Sequence, residues 1–228
     1  MLPSSNTLAV RHFQLGHLST GTLRATASHS LSSLVLPKQD RLGFCDDCPF
    51  GKIKRFTHDT THSGPRTSVR GRKFHFDMHG PYKVKQIPGG IVIGQMIVED
   101  STRMSWVLGA TQKKLMLDAT KQWYNRLRTG DDADLRPALF KFDSDPSTYM
   151  SSDWTDWVES VHVRRQYATA GDHEAHGVAE RHIGVCKDMA FAMLHYCDRG
   201  KQYFFMAFRY ASSIRCVTHT SSTDSIPK

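Results

Sequence analysis

No stretch of this sequence approaches the ~18 consecutive apolar residues of a membrane-crossing helix, so a helical membrane span is excluded. Cysteine is scarce, with five in 228 residues. That is too few for a disulfide scaffold, and an odd number cannot pair completely. A reducing compartment is the expectation. The opening residues, "MLPSSNTLAVRHFQLGH", lack the charged start and long apolar stretch of a secretory signal. No internal repeat is visible. Acidic side chains are also in deficit, 22 against 30 Lys and Arg, which leaves a formal net charge of +8 and a pI near 9.3.

Excess positive charge favours a polyanionic partner, though solubility alone also explains it. Its distribution is more informative. Between Gly51 and Lys73 there are seven basic residues (Lys52, Lys54, Arg55, Arg66, Arg70, Arg72 and Lys73) and one acid, Asp59. Such a run can neutralise phosphates and release counterions, and it can equally be a solvated linker. Hydrophobic residues at 39% and charged residues at 23% fit a folded chain.

Three regions follow from composition. Residues 1–56 carry two close histidines, a Ser-rich middle and a CxxC. Residues 57–73, "THDTTHSGPRTSVRGRK", have Val69 as their one large apolar residue and read as a basic linker. From Phe74 the pattern becomes regular. "FHFDMH" alternates until "GP" stops it, "GGIVIGQMIVED" and "MSWVLGA" are β-rich, and the turns between them predict an antiparallel meander. "QKKLMLDATKQWYNRLRTG" is spaced as a helix ending at Gly130. "PALFKFDSD" predicts a strand, "SSDWTDWVESV" a helix, "VHVRRQYA" a strand, and residues 176–198 and "QYFFMAFRYASSIRCV" two more helices. This order predicts an α/β fold, a mixed sheet flanked by helices in one packed domain over 74–228. Trp106, Trp123, Trp154 and Trp157 are assigned to the core, and Cys186, Cys197 and Cys216 are read as buried thiols.

Four residues separate His12 from His17 and two separate Cys45 from Cys48, giving H-x4-H-x27-C-x2-C. Zinc takes four tetrahedral N and S ligands, and a CxxC turn presents two thiolates to one ion. A redox pair is the rival reading. Redox motifs normally open a helix after a strand, and "GFCDDCPFGKIKR" lacks that context. A closed four-ligand site makes the zinc structural, stabilising a domain too small to build a sufficient core. "HEAH" at 173–176 has i, i+3 spacing instead of the i, i+4 of a zinc-protease helix and is set aside. His58, His62, His75, His79, His162, His182, His195 and His219 read as ordinary surface or core histidines.

Three groups of acids sit at element boundaries: Asp77 inside the first strand, Asp143 and Asp145 at the end of the fourth, and Glu180 at a helix start. Asp77 is the most telling, because a carboxylate in an apolar strand is costly without a compensating partner. A hard cation such as Mg²⁺ or Mn²⁺ would offset that cost.

The motifs in order resemble the integrase of copia-type LTR retrotransposons. "RHFQLGHLS" is similar to that family's "WHxRLGHxS", "CDDCPFGKIKRF" to "CxxCxxGKxxRxxF", and "FHFDMHGP" to "xHxDxxGP". "FDSDPSTYMSSDW" is similar to "RSDNGGEFxSxxF", and "EAHGVAERHIG" to "QQNGVAERxNR". The resemblance runs from about residue 9 to the end. It implies a small helical zinc-binding pre-integrase domain before an RNase H-like catalytic core. His12, His17, Cys45 and Cys48 match the zinc ligands, and Asp77, Asp145 and Glu180 match the catalytic triad. Asp145 is preferred to Asp143 because "YMSSDW" then falls where "EFxSxxF" belongs.

What the resemblance implies is a polynucleotidyl transferase that trims element DNA ends and joins them to target DNA with two Mg²⁺ or Mn²⁺ ions. It implies self-association into a homo-oligomer; Lys187, two helical turns after Glu180, and Arg181 are read as contacts to the DNA backbone or as solvated helix charges, and Lys52, Lys54 and Arg55 of the basic run as further DNA contacts. It also implies action in the nucleus, with a cytoplasmic particle before that, and a further DNA-binding region beyond "DSIPK". This chain departs from the family's pattern at two places. "DNGGE" has become "DPSTY", and the family's asparagine before "GVAE" is His176. A catalytically inactive nucleic-acid-binding or assembly fragment of a polyprotein, and a zinc-only interaction protein, therefore stay open as alternatives.

Overall fold

The computed structural model describes residues 7–37, 41–52, 66–129, 135–143, 148–167, 173–219 and 226–227. Its elements are α1 (Leu8–Gln14), α2 (Thr20–Ser28), α3 (Asp47–Lys52), β1 (Lys73–His79), β2 (Ile93–Glu99), β3 (Ser105–Ala110), α4 (Met116–Thr129), β4 (Leu139–Phe142), α5 (Ser152–Ser160), β5 (Arg164–Tyr167), α6 (His173–Tyr196) and α7 (Phe204–Cys216). No described helix is long and apolar enough to cross a membrane. By contacts the chain divides into two units, Met1–Thr57 with Gly184–Lys228, and His58–Ile183. They are called here the His/Cys unit and the sheet unit.

The sheet unit holds all five strands, in the order β3-β2-β1-β4-β5. β1, β2 and β3 form the expected antiparallel meander, and β4 and β5 join in parallel. Strand alternation sorts the side chains. Phe74 and Phe76 on β1, Ile97 on β2, Trp106 on β3, and Phe140 and Phe142 on β4 face one core with Trp123 and Tyr124 of α4 and Trp154 and Trp157 of α5. The rings meet mainly edge to face, as Phe74 and Phe76 do on Trp123 at 5.6 and 5.8 Å. Burying each ring contributes roughly 1.5–3 kcal/mol.

Tyr149, from the divergent "DPSTY" segment, is part of this core. It is 1% exposed and stacks on Phe142 at 4.8 Å. Gln95 Nε2 donates to its hydroxyl at 2.9 Å, and the Thr120 hydroxyl donates to Gln95 Oε1 at 2.7 Å. Ser151 occupies the N-cap position of α5, but its hydroxyl donates back to Thr148 O at 2.7 Å and leaves the helix uncapped by that side chain.

The opposite face of the sheet carries a different set. Asp77 pairs with Met96 and His75 with Val98 across β2, and Val98 pairs with Ser105 across β3. Met96 and Val98 are fully buried, yet neither belongs to the aromatic core. What bears on this face is α6: His182 reaches Ser105 at 2.9 Å.

In the His/Cys unit, Thr7 caps α1 by accepting from Val10 N–H, and Ser19 caps α2 by accepting from Thr22 N–H. The cysteines divide differently from the expectation. Cys186 is buried, and burial pushes its thiol up to about 12. Cys216 is half-buried and Cys197 is exposed. Cys197 follows the last turn of α6, where the helical spacing no longer governs which side faces inward.

Candidate metal centres

The four predicted zinc ligands converge. One donor atom from each of His12, His17, Cys45 and Cys48 lies within 4.8 Å of the others. Cys48 Sγ is 3.4 Å from His12 Nε2, and Cys45 Sγ is 3.4 Å from His17 Nδ1. Cys48 Sγ is 3.8 Å from His17 Nδ1. Zinc bonds of ~2.0–2.3 Å in a tetrahedron separate neighbouring ligand atoms by about 3.3–3.8 Å, so the residues fit one zinc ion.

Local chain geometry explains the convergence. α1 delivers His12, and the chain reverses at Gly16 and His17, whose φ values are +66° and +61°. The positive φ favours glycine at Gly16; a Cβ there would also lie 2.8 Å from Met189 Cε, the movable end of a flexible side chain. The His12 Nδ1–H donates to Leu18 O at 2.8 Å. In the neutral ring this makes Nε2, the atom 3.4 Å from Cys48 Sγ, the unprotonated nitrogen that a metal would take.

Sequence reasoning missed the residues that brace this set. His195 Nδ1–H donates to Asp47 Oδ1 at 2.6 Å, holding the residue just before Cys48. Phe13 stacks on Tyr196 at 4.5 Å, and both rings meet His17 edge-on. The signal available was weak: Asp47 lies between the two cysteines, but His195 is 148 positions away.

The acids are placed as follows. Asp77 is half-buried on β1. Glu180 is exposed on α6, a helix that packs on Asp77's side of the sheet through His182. Asp145 lies outside the described residues. Asp143 follows β4 directly. Phe76 pairs with Phe142 in parallel register at the end of β4, and continuing that register by one residue would set Asp143 beside Asp77.

Of the expected DNA contacts, Arg181 is exposed, with Nε donating to Gly177 O at 2.6 Å, and Lys187 is half-buried. Lys52 ends α3 with its side chain outside the description, and Lys54 and Arg55 lie outside the described residues altogether.

No protein-family model matches the chain. Over 201 residues, 88% of this chain, it is 24% identical to the retrovirus-related Pol polyprotein from transposon TNT 1-94 of Nicotiana tabacum. The chain spans 14% of that polyprotein's length. Among solved structures, it superposes on a chain of the simian T-cell lymphotropic virus intasome in complex with the PP2A regulatory subunit B56 gamma. The TM-score is 0.52 and the identity 15%, over 75% of this chain and 57% of that one. The HTLV-2 integrase catalytic core domain in complex with magnesium, in its trimeric form, gives a TM-score of 0.50 at 16% identity, over 71% of this chain and 96% of that one. These two likenesses show the fold, that of an integrase core. The chain thus has the fold of an integrase core and, along most of its length, a likeness to a retrovirus-related transposon Pol polyprotein.

Proposed function

We propose that the chain catalyses metal-dependent phosphoryl transfer, trimming the ends of element DNA and joining them to target DNA. The observation that carries this reading is that Asp77 and the helix bearing Glu180 share one side of the sheet. Asp77, Glu180 and an aspartate at the end of β4 would hold the divalent ions. The register favours Asp143 for that third position, and the motif spacing favours Asp145. Bound there, a pair of Mg²⁺ or Mn²⁺ ions supplies activation of the attacking oxygen and stabilisation of the leaving oxygen at phosphorus. The chain's own part is to fix three carboxylates on rigid elements and to bind the DNA backbone. For that binding we assign Arg181, Lys187, Lys52, Lys54 and Arg55, with residues 57–73 as a basic linker between a zinc-stabilised domain at 1–56 and the core at 74–228. Assembly as a homo-oligomer on DNA, and action in the nucleus, belong to the same proposal.

The test is strand transfer by the purified chain on a labelled oligonucleotide of the element's end, with Mg²⁺ or Mn²⁺. Joined product in the wild type and none in Asp77→Asn is the expected result. Equal joining by Asp77→Asn refutes the assigned chemistry. A second reading, an inactive nucleic-acid-binding or assembly fragment, is favoured by "DPSTY" in place of "DNGGE". It predicts salt-dependent DNA binding without joining by the wild type.

A further inference from the structure

β1, β4 and β5 run parallel, so their carboxyl ends, at His79, Phe142 and Tyr167, open on one edge of the sheet. In open α/β sheets ligands bind beyond that edge. Asp77 lies two residues short of it on β1. The β1–β2 ribbon does not stop there. His79 pairs with Gly94, Tyr82 N–H then donates to Val92 O at 2.7 Å, and Gln86 N–H donates to Ile91 O at 3.0 Å. The two segments thus run on together past the edge as a hairpin, residues 81–92. Ile91 comes five residues before Met96, the partner of Asp77. At ~3.3 Å per residue, the hairpin's outer pair lies within about 17 Å of Asp77 along the ribbon.

The hairpin is braced at its base and stands clear at its tip. Tyr82 Oη lies 2.7 Å from His79 Nδ1, which ties the hairpin to β1. Gln86 is 2% exposed, and its Nε2 donates to Val84 O at 2.6 Å. The tip turns through Gly89 and Gly90, with φ of +86° and +64°, and a Cβ at either would meet nothing within 4 Å. On this frame Lys83 and Lys85 are exposed. No acid occurs between Asp77 and Glu99. Among the described residues neither lysine has an ion-pair partner. Two uncompensated cations on a braced ribbon, at the edge of an acidic site, present positive charge where a polyanion approaching Asp77 has to pass. Lysines also deter edge-to-edge pairing of exposed strands, but that role predicts no effect on DNA.

We propose that the hairpin at residues 81–92 is a DNA-holding finger, with Lys83 and Lys85 binding backbone phosphates of the reacting strand within about five nucleotides of the bond that is cut. Its place on the reaction path rests on the proposed function; its affinity for DNA does not. The test uses the full chain carrying Lys83→Gln with Lys85→Gln, and a second version carrying Lys83→Arg with Lys85→Arg, on the labelled oligonucleotide of the element's end. Counterion release contributes ~0.9 to the log–log salt slope per phosphate, so the slope of DNA affinity is expected to fall by about 1.8 in the Gln pair and to keep its wild-type value in the Arg pair, with the melting temperature unmoved. KM for DNA should rise about tenfold in the Gln pair while kcat changes by less than about twofold, since a backbone contact is made equally before and during the reaction. Single neutral methylphosphonates placed one at a time at the phosphates nearest the cut are expected to weaken the wild type at one or two positions, about threefold each, and the Gln pair at neither of those. An unchanged salt slope in the Gln pair overturns the finger. Methylphosphonates that weaken both proteins equally at every position overturn its placement beside the cut. A wild-type chain that binds the oligonucleotide but joins none removes the proposed function instead, and the salt slope and the methylphosphonate series then decide the finger alone; a wild-type chain that binds no DNA overturns both.

Discussion

The two candidate metal sites are built on opposite plans. The His/Cys ligands come as two short-range pairs, each fixed by a local turn, and three of the distances between their donor atoms, 3.4, 3.4 and 3.8 Å, already match a tetrahedral zinc site. The acids come singly, from β1, from the end of β4 and from α6, and each depends on the sheet for its place. A site made of local pairs is set by its turns and completed by its metal. A site made of distant single residues is only as well placed as the fold beneath it. The difference lies in how far apart in sequence the cooperating groups are, and so in what a substitution disturbs.

Removing zinc should produce the largest effect. Binding energies of structural zinc sites are ~10–16 kcal/mol, more than a small domain's whole stability. Cys48→Ser, or exhaustive chelation, is expected to abolish one bound zinc per chain by metal analysis and to lower helical circular dichroism. All four tryptophans lie in the sheet unit, so their fluorescence should stay in place if the two plans are independent. A red-shifted tryptophan spectrum on chelation would break the comparison.

Next in size is the acid site. Asp77→Asn is expected to cut strand transfer by at least ~10³-fold, because neutralising a ligand removes charge stabilisation present at the transition state. Thermal stability should hardly change. Asp143→Asn and Asp145→Asn sharpen the point. If the strand register decides, the larger loss falls on Asp143, the residue directly after β4; if motif spacing decides, it falls on Asp145. Smaller again is His195→Ala, which frees Asp47 next to Cys48. Loss of such a brace typically costs ~10–100-fold in metal affinity, to be read by competition with a chromophoric chelator.

How much of this was legible in the sequence follows from the same contrast. The strands and helices of the sheet unit could be read because their apolar residues alternate or recur helically, and the boundary at Gly130 and the stop at "GP" fall where the elements end. The zinc set was legible because spacing alone specifies it. Tyr149 was not, since "DPSTY" looked like a damaged motif, and only the packing shows its ring filling the core beside Phe142. Nor was the pairing of Ser105 with His182 or of Asp47 with His195, because long-range polar contacts leave no periodic trace. Cys197 was assigned to a buried face one residue beyond the end of α6.

The smallest expected effect concerns pH and belongs to the sheet unit alone. Asp100 is buried and pairs with His75 at 2.8 Å, Arg103 at 3.1 Å and Lys73 at 3.4 Å, and accepts from Thr67 N–H at 2.7 Å. Burial pushes its carboxyl up, but the bonds from His75 and Thr67 and the nearby cations outweigh that and hold it far below the usual carboxylate range. Burial, only partly opposed by Asp100, pulls His75 below its ordinary 6.5. The signs agree. A histidine harder to protonate when folded contributes stability that is present above 6.5 and lost as the pH falls below it, since the unfolded chain takes the proton first. The depressed Asp100 adds a second loss, which begins only below about 4. Between pH 7 and 5.5 only the first operates. The melting temperature read by tryptophan fluorescence should therefore decline over that range in the wild type and less steeply in His75→Gln, which keeps a donor but cannot titrate. Metal release from the His/Cys unit over the same range does not enter this signal, because that unit holds no tryptophan. Equal slopes in the two proteins would mean that the buried His75–Asp100 pair is indifferent to acid.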